Sequence, residues 1–378
     1  MNIYDLIQQK CPNGVLVRKL SACCNVLDSQ RQPVTESQRD AGEYPYYGAS
    51  GVQDYISDYI FDGTFVLVGE DGSVITENGN PIVVWAEGKI WVNNHAHIIS
   101  EIEDVSLRYL FFYLQTVDIS NFVHGNIPKF TGKDFKNLQI PLPPLPVQRE
   151  IVAILDKFDS YCNSMTAGLA GELEMRRKQY RYWAEHLVMD GNVEMVELGK
   201  LCRINKGTQM NKSDYQDGPY PIYNMGAEPS GTHTEYNRDI PSIVIAGHGN
   251  SCGFVNWVDE PFWAGGGCYY LDSLAPDLSN RYLYHAMKVR EGFLMGLGSH
   301  GPIRNLYPRT IARLQVPVPV SVPGTGAWDI ARQQSICDTL DKFLTLEHEL
   351  EHELELRRKQ YEYYRDMLLS FPERKENA

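Results

Sequence analysis

The sequence predicts an α+β protein made by internal duplication. Two similar strand-rich α/β modules are separated by two long antiparallel helices packed as a coiled coil, and the halves form a pseudo-two-fold repeat. Three observations lead there. ELEMRRKQYRYW, Glu172 to Trp183, recurs as ELELRRKQYEYY, Glu353 to Tyr364, with eight of the first nine positions identical. LQIPLPPLPVQREIVAILDKF, Leu138 to Phe158, is answered by LQVPVPV from Leu314 and ARQQSICDTLDKF from Ala331. Each block runs into a heptad-spaced apolar seam. Further upstream, YPYYGA at Tyr44 matches YPIYNM at Tyr220, FVLVGEDGS at Phe65 matches IVIAGHGNS at Ile243, and RYLFF at Arg108 matches RYLYH at Arg281.

Taken in order, residues 1–146 form the first module. Short apolar runs, Phe65–Gly69, Pro81–Val92 and His95–Ile99, are broken by EDG, NGN and NN turns and read as strands. A helix is expected over Ser106–Thr116, where Leu107, Leu110, Phe111 and Leu114 recur behind a serine N-cap. A loop, a short helix from Thr131 and an extended proline-rich strand follow. Residues 147–190 then form a long helix, with Pro146 at its head and Ile151, Leu155, Phe158, Cys162, Met165 and Leu169 along one seam. Gly168 and Gly171 lie in a four-residue insertion relative to the second copy, and each glycine costs about 1 kcal/mol in a helix interior, so the helix is weakest there or breaks in two. Residues 191–329 repeat the first module, from VELGKLCRINKG through NRYLYHAMKVREGF. Residues 330–378 carry the second seam, Ile336, Leu340, Phe343, Leu350, Leu354, Tyr361, Tyr364 and Leu368, with Glu347 and Arg357 as polar interruptions.

Composition narrows the function. No run of apolar residues is long enough to span a membrane, and the N-terminus lacks a secretory pattern, so a cytoplasmic protein is expected. Eight scattered cysteines without a C-x-x-C pair read as reduced thiols. The net charge is −13, with 10 basic against 17 acidic residues in the first module and 11 against 13 in the second. That balance disfavours a protein gripping nucleic acid through a uniformly basic body; any such contact must use local patches or a partner's charge.

Catalytic patterns are missing. The chain has no phosphate-binding G-x-x-x-x-G-K-[ST] loop, no N-P-P-[YF] or D-P-P-[YF] and no strand–G-x-G-x-x-G–helix unit. GHGNSCG from Gly247 and WAGGGC from Trp263 lack a following amphipathic helix and read as turns. His95 and His97 fall on one face of an expected strand, but without a third ligand nearby they read as structural, and no metal site is expected.

The proline-rich strand, the Q-R-E helix start, the twin RRKQY helices and the module openings occur together in one order over nearly the whole chain. In this the sequence resembles the specificity subunit of type I restriction-modification systems. The resemblance implies two target recognition domains, each reading half of a bipartite duplex DNA sequence, and spacer helices that fix the half-site separation and dock two methyltransferase subunits. Those partners and the restriction subunits would hold the catalysis, with S-adenosylmethionine, ATP and Mg on them and no cofactor on this chain. The second strand departs, with PVPVSVPG where the first has PLPPLPVQ.

Base readout favours Arg or Lys toward guanine and Asn or Gln toward adenine. In the first module the candidates are Asn126, Lys129, Thr131, Lys133 and Lys136, with Tyr46, Tyr47, Asn93 and Asn94 from the turns. Their counterparts in the second are His300, Arg304, Asn305, Arg309 and Arg313, with Tyr223, Asn224, His248 and Asn250. For partner docking the candidates are Arg176, Arg177, Tyr180 and Trp183 in one copy and Arg357, Arg358, Tyr361 and Tyr364 in the other. The alternative is a non-catalytic duplicated scaffold that binds protein or glycan, which the acidic charge would suit.

Overall fold

A computed structural model describes residue 7 and residues 9–12, 14–72, 74–123, 128–299, 304–325 and 327–371. The chain divides into two compact units, Met1–Ala167 with Leu354–Ala378, and Gly168–Glu353.

In the first unit, strands β1 (Leu16–Lys19), β2 (Asn25–Val26), β3 (Ala41–Gly48), β4 (Gly51–Ile56), β5 (Phe61–Gly69), β6 (Val83–Val92) and β7 (Ala96–Ser100) precede helices α1 (Leu107–Leu114) and α2 (Gly132–Asn137) and strand β8 (Gln139–Leu142). Six strands form one sheet in the order β2-β7-β5-β6-β3-β4, antiparallel except where β3 runs beside β6. Gly63 and Gly88 face each other in the β5–β6 ladder with φ of 151° and 79°, a paired bend that other residues resist. The sheet encloses a core of Tyr47, Phe61, Phe65, Leu67, Ile90, Val92 and Ile98. Ser106 caps α1 by accepting from the Tyr109 N–H at 3.3 Å.

Helix α3 (Leu145–Met189) is continuous for 45 residues, so the expected weak point does not break it. Nothing lies within 4 Å of a Cβ built on Gly168 or Gly171. In the first unit Val147, Ile151 and Leu155 join the core that also buries Leu368 and Leu369 of the last helix, and the Phe158 and Tyr364 rings lie 5.5 Å apart.

The second unit contains β9 (Val193–Glu197), α4 (Leu198–Leu201), β10 (Cys202–Lys206), β11 (Tyr220–Tyr223), β12 (Thr232–His233), β13 (Ser242–Ala246), β14 (Val255–Val258), β15 (Trp263–Ala264) and β16 (Cys268–Ser273). Helices α5 (Asn280–Gly296) and α6 (Pro308–Ala312), strands β17 (Gln315–Val322) and β18 (Ala327–Trp328), and the part of helix α7 (Ile330–Leu369) up to Glu353 complete it, the rest of α7 belonging to the first unit. Its sheets run β10-β16-β13-β14, β12-β11-β15 and β18-β17-β9. Tyr180, Ala184 and Val188 of α3 share a core with Ile336, Cys337 and Leu340 of α7. Asp190 pairs with Arg332 at 3.1 Å, while Arg177, earlier on α3, reaches Glu347 at 3.8 Å and Glu351 at 2.5 Å, later on α7. The two helices therefore run antiparallel here.

The bonds that seat the helices on the strand-rich modules occur twice. Gln148 Oε1 accepts from the Ser106 N–H and Gln333 Oε1 from the Ser279 N–H, both at 2.9 Å. Arg108 Nε donates to Asp156 and Arg281 Nε to Asp341, both at 2.8 Å, each guanidinium lying over a tryptophan, Trp85 or Trp257. The hydroxyls of Tyr109 and Tyr282 donate to the carbonyls of Pro141 and Pro317. Leu20 and Leu198 N–H donate to the carbonyls of Leu138 and Leu314. Prolines 141 and 317 suit such strands because their carbonyls still accept when the N–H is missing.

His97 Nε2 meets the Phe130 carbonyl at 3.0 Å, and the Tyr269 hydroxyl donates to the Leu306 carbonyl at 3.0 Å, which makes His97 and Tyr269 equivalent. Val68 pairs with His97 and Ile245 with Tyr269, so Phe65 corresponds to Ser242 rather than Ile243. Glu70 and Asp71 then stand where Gly247 and His248 do.

Candidate nucleic-acid interface

In the first module the fold separates candidates that sequence places together. Tyr46 is 1% exposed; its hydroxyl meets the Val34 N–H and carbonyl, both at 3.1 Å, and Arg39 lies 4.2 Å over its ring. It is core, not a base reader. Tyr47 is likewise buried in the sheet core, and burial pushes its hydroxyl up. Asn93, also buried, accepts from the His95 N–H at 2.8 Å and donates to Gln53 at 3.2 Å, so it builds the β6–β7 turn and leaves exposed Asn94 at its tip. Thr131 is spent on α2: its Oγ1 accepts from the Asp134 N–H at 3.3 Å and donates to the Asp134 carboxylate at 2.6 Å. Lys129 is 51% exposed but pairs with Glu70 at 3.5 Å and Asp71 at 4.0 Å. Lys133 and Lys136 are exposed on α2. Asn126 lies outside the described residues.

The histidine pair does not share a strand face. His95 sits in the turn, paired with Asp71, while His97 is buried on β7 with its ring stacked on Phe135. Asp28, Glu70 and His97 bring possible ligand atoms within 4.8 Å of one another, a grouping that only the fold creates. These groups already satisfy each other. His97 Nδ1 faces Asp28 at 2.8 Å, its Nε2 faces the Phe130 carbonyl, and Arg31 bonds Glu70 at 2.7 Å. Burial pushes the Asp28 carboxyl up, but the His97 bond, helped by the Ile98 N–H and Arg31, outweighs it and holds the group below its ordinary value. The cluster fastens Phe130, and with it the start of α2, to the sheet.

In the second module Asn224 Oδ1 accepts from the Gly267 N–H at 2.7 Å, and this bond shapes the triple-glycine turn after β15. A Cβ at Gly267 would lie 2.2 Å from the Asn224 Oδ1 that the Gly267 N–H binds, so glycine lets the turn close onto Asn224 there. Tyr223 is half-buried against Phe262. His248 bridges to Asn305, and exposed Asn250 follows in the same turn. The Arg304 guanidinium bonds the Met295 carbonyl near the end of α5, where a helix leaves carbonyls unpaired. The Asn305 N–H donates to Ser299 at 3.0 Å. Arg309 and Arg313 are exposed on and after α6; His300 lies outside the described residues.

The RRKQY copies are not equivalent surfaces. Tyr180 is 6% exposed, its hydroxyl 2.9 Å from His285 Nδ1, whose Nε2 donates to Asp341 at 2.9 Å. It links α3 to α5 and α7 and is no docking anchor. Burial pushes the Asp341 carboxyl up, but bonds from His285 and Arg281 overcome this and bring it to about 2. Burial also pushes Glu347, the seam's polar interruption, up despite Arg177. Arg176 is bonded along its own helix to Glu172 and Gln179, and Arg357 to Gln360. Arg358 is 77% exposed beside Glu362. Tyr361 is half-buried, and Tyr364 packs on Phe158. Trp183, at 45% exposure, and its neighbour Tyr182 face outward, as does Tyr363.

These features define a class: a duplicated pair of strand-rich modules joined to a shared helix pair, with polar and basic side chains exposed on their loops. The family profile described as type I restriction modification DNA specificity domain matches residues 12–175 and again 190–356. The chain is 31% identical over 379 residues to a Haemophilus influenzae protein assigned as a type I restriction enzyme specificity subunit, covering 94% of this chain and 95% of the other. It is 29% identical over 301 residues to a type I restriction enzyme specificity subunit of Escherichia coli, covering 70% and 71%. The fold is similar to that of the type I restriction-modification S subunit from M. genitalium, with a TM-score of 0.52, 17% identity and 94% of each chain covered. The chain belongs to the type I restriction-modification specificity family. Its role is DNA recognition without catalysis of its own, which belongs to the partner subunits. Among the described residues no helix is long and apolar enough to cross a membrane.

Proposed function

We propose that each strand-rich module reads one half of a bipartite duplex target, that α3 and α7 fix the distance between the halves, and that the helices dock two methyltransferase subunits. Restriction subunits join that assembly, and S-adenosylmethionine, ATP and Mg serve the partners in the cytoplasm beside the DNA. The observation that carries this reading is the doubled junction: Gln148 and Gln333, Arg108–Asp156 and Arg281–Asp341, Tyr109 and Tyr282 hold the modules to the helices by the same bonds. Two modules fixed alike to a common helix pair can present equivalent surfaces to two half-sites, and half-site spacing on duplex DNA is a geometric quantity. The test is to assemble the chain with its methyltransferase partners, supply S-adenosylmethionine and map the modified bases. Two specific tracts with a constant gap are expected; one contiguous tract would refute the reading.

A further inference from the structure

One surface pattern appears in both units and joins four of the candidate cations, Lys133, Lys136, Arg309 and Arg313, to four that sequence does not single out. In the first unit Arg18 and Lys19 end β1, laddered on Ile140 and Gln139 of β8. The turn Leu20–Ala22 that follows packs on α2, which carries Lys133 and Lys136. In the second unit α4 carries Lys200 and leads into β10 with Arg203, and α4 packs on α6, which carries Arg309 and is followed by Arg313. A Cβ at Gly199 would lie 3.0 Å from the Ala312 Cβ and 3.3 Å from its carbonyl oxygen, so glycine lets α4 settle this closely on α6. Arg203 and Arg309 both line a surface cavity of about 400 Å³ floored by Ile204, Leu274 and Pro308.

All these cations are exposed, and none forms an ion pair with a described residue. Elsewhere in the modules Arg31, Arg39, Arg108, Lys129, Arg238 and Arg281 are each held by a carboxylate. The repeat does not preserve most of the positions. With Leu20 on Leu198 and Leu138 on Leu314, Lys19 falls on Glu197 and Lys136 on Ala312, whereas Lys133 falls on Arg309. Positive charge stays on the same neighbouring elements while the residues supplying it have moved; Arg18 and Lys19, successive on β1, leave opposite sides of that strand. Packing does not ask for that, but a polyanion does: phosphate contacts position a duplex and tolerate changes in which cation supplies them.

We propose that these two clusters of elements grip the DNA backbone beside each half-site, with Arg18, Lys19, Lys200 and Arg203 as phosphate contacts outside any base-reading loop. This rests on the reading of the chain as a DNA recognition subunit. The test uses the assembled enzyme, comparing wild type with Arg18→Gln, Lys19→Gln, Lys200→Gln and Arg203→Gln combined. Binding to a target duplex and an unrelated duplex is measured from about 50 to about 200 mM salt. The slope of log K on log salt is expected to fall by up to about 3.6, at about 0.9 for each phosphate no longer neutralised, equally on both duplexes, with the methylated sequence unchanged. Lys157→Gln with Lys342→Gln, exposed on the helices, should leave the slope in place, and Arg18→Lys with Arg203→Lys should preserve it. An unchanged slope in the fourfold variant, or weakening confined to the target duplex, overturns the proposal while the DNA reading stands. Absence of salt-sensitive duplex binding by the wild-type assembly overturns both.

Discussion

Replacing His285 with phenylalanine puts into the second module the residue that the first carries at the equivalent Phe112. His285 is fully buried, donating from Nε2 to Asp341 and accepting at Nδ1 from the Tyr180 hydroxyl, both at 2.9 Å. The carboxylate can only accept, so Nε2 carries the proton, and in the neutral ring Nδ1 accepts from Tyr180. Burial holds its pKa below the ordinary 6.5, with Asp341 pulling the other way and Arg281 reinforcing the depression. A depressed native value means that the unfolded chain takes up a proton that the folded chain refuses. The stability tied to this group is therefore present above pH 6.5 and drains away as pH falls from there toward the native value. The drain is at most about 1.4 kcal/mol per pH unit for one group. At about pH 8 the variant loses both bonds and leaves the Tyr180 hydroxyl buried without a partner, a cost of about 2–3 kcal/mol. Adding Tyr180→Phe removes that orphan and should recover about 1 kcal/mol or more. Urea unfolding at about pH 8 and about pH 5.5 measures both effects, and the difference between wild type and variant cancels the carboxylates common to them. The expected result is a variant less stable at the higher pH whose deficit shrinks at the lower. A deficit independent of pH would refute the assignment of a neutral, buried His285.

Three further outcomes follow from the packing. Gly168→Ala with Gly171→Ala should raise the unfolding free energy by about 1 kcal/mol per site, read by urea titration, because α3 is helical through both and a methyl group meets open space. Gln148→Ala and Gln333→Ala should each cost about 2–3 kcal/mol, since each amide is buried and serves a serine N–H and nearby carbonyls; equal losses are expected from the doubled geometry. Tyr46→Phe should lower the unfolding free energy by about 1 kcal/mol and leave the methylated sequence unchanged, while a shifted target would restore Tyr46 as a base reader.

What the sequence made legible was periodic or punctuated. Ile151 and Leu155 of the first heptad seam and Ile336, Leu340 and Leu368 of the second are buried as expected, whereas Cys162, Met165, Leu169, Phe343, Leu350, Leu354, Tyr361 and Tyr364 are only half-buried and Phe158 is exposed; Ser106 caps the helix it precedes. The proline-rich strands and the turn nature of the glycine-rich segments were equally readable, because each depends on local backbone chemistry. The losses are non-local. YPYYGA shows three tyrosines, and nothing along the chain says that Tyr46 points at Val34. Asn93 and Asn224 looked like readers because amide side chains suit adenine, yet the same bonding capacity builds turns. The one-residue slip between FVLVGEDGS and IVIAGHGNS came from matching glycine to glycine, whereas the ladders match Gly69 to Ala246. Arg18, Lys19, Lys200 and Arg203 gave no patch along the sequence because strand pairing and helix packing bring them beside α2 and α6.

The central claim is that one polypeptide reads two separate marks, one with each module. The most direct measurement exchanges the segment between α3 and α7 for that of another family member and maps the methylated sequence of the assembled enzyme. The account predicts that one half of the target changes while the other half and the gap persist. A change in both halves, or in neither, would contradict it.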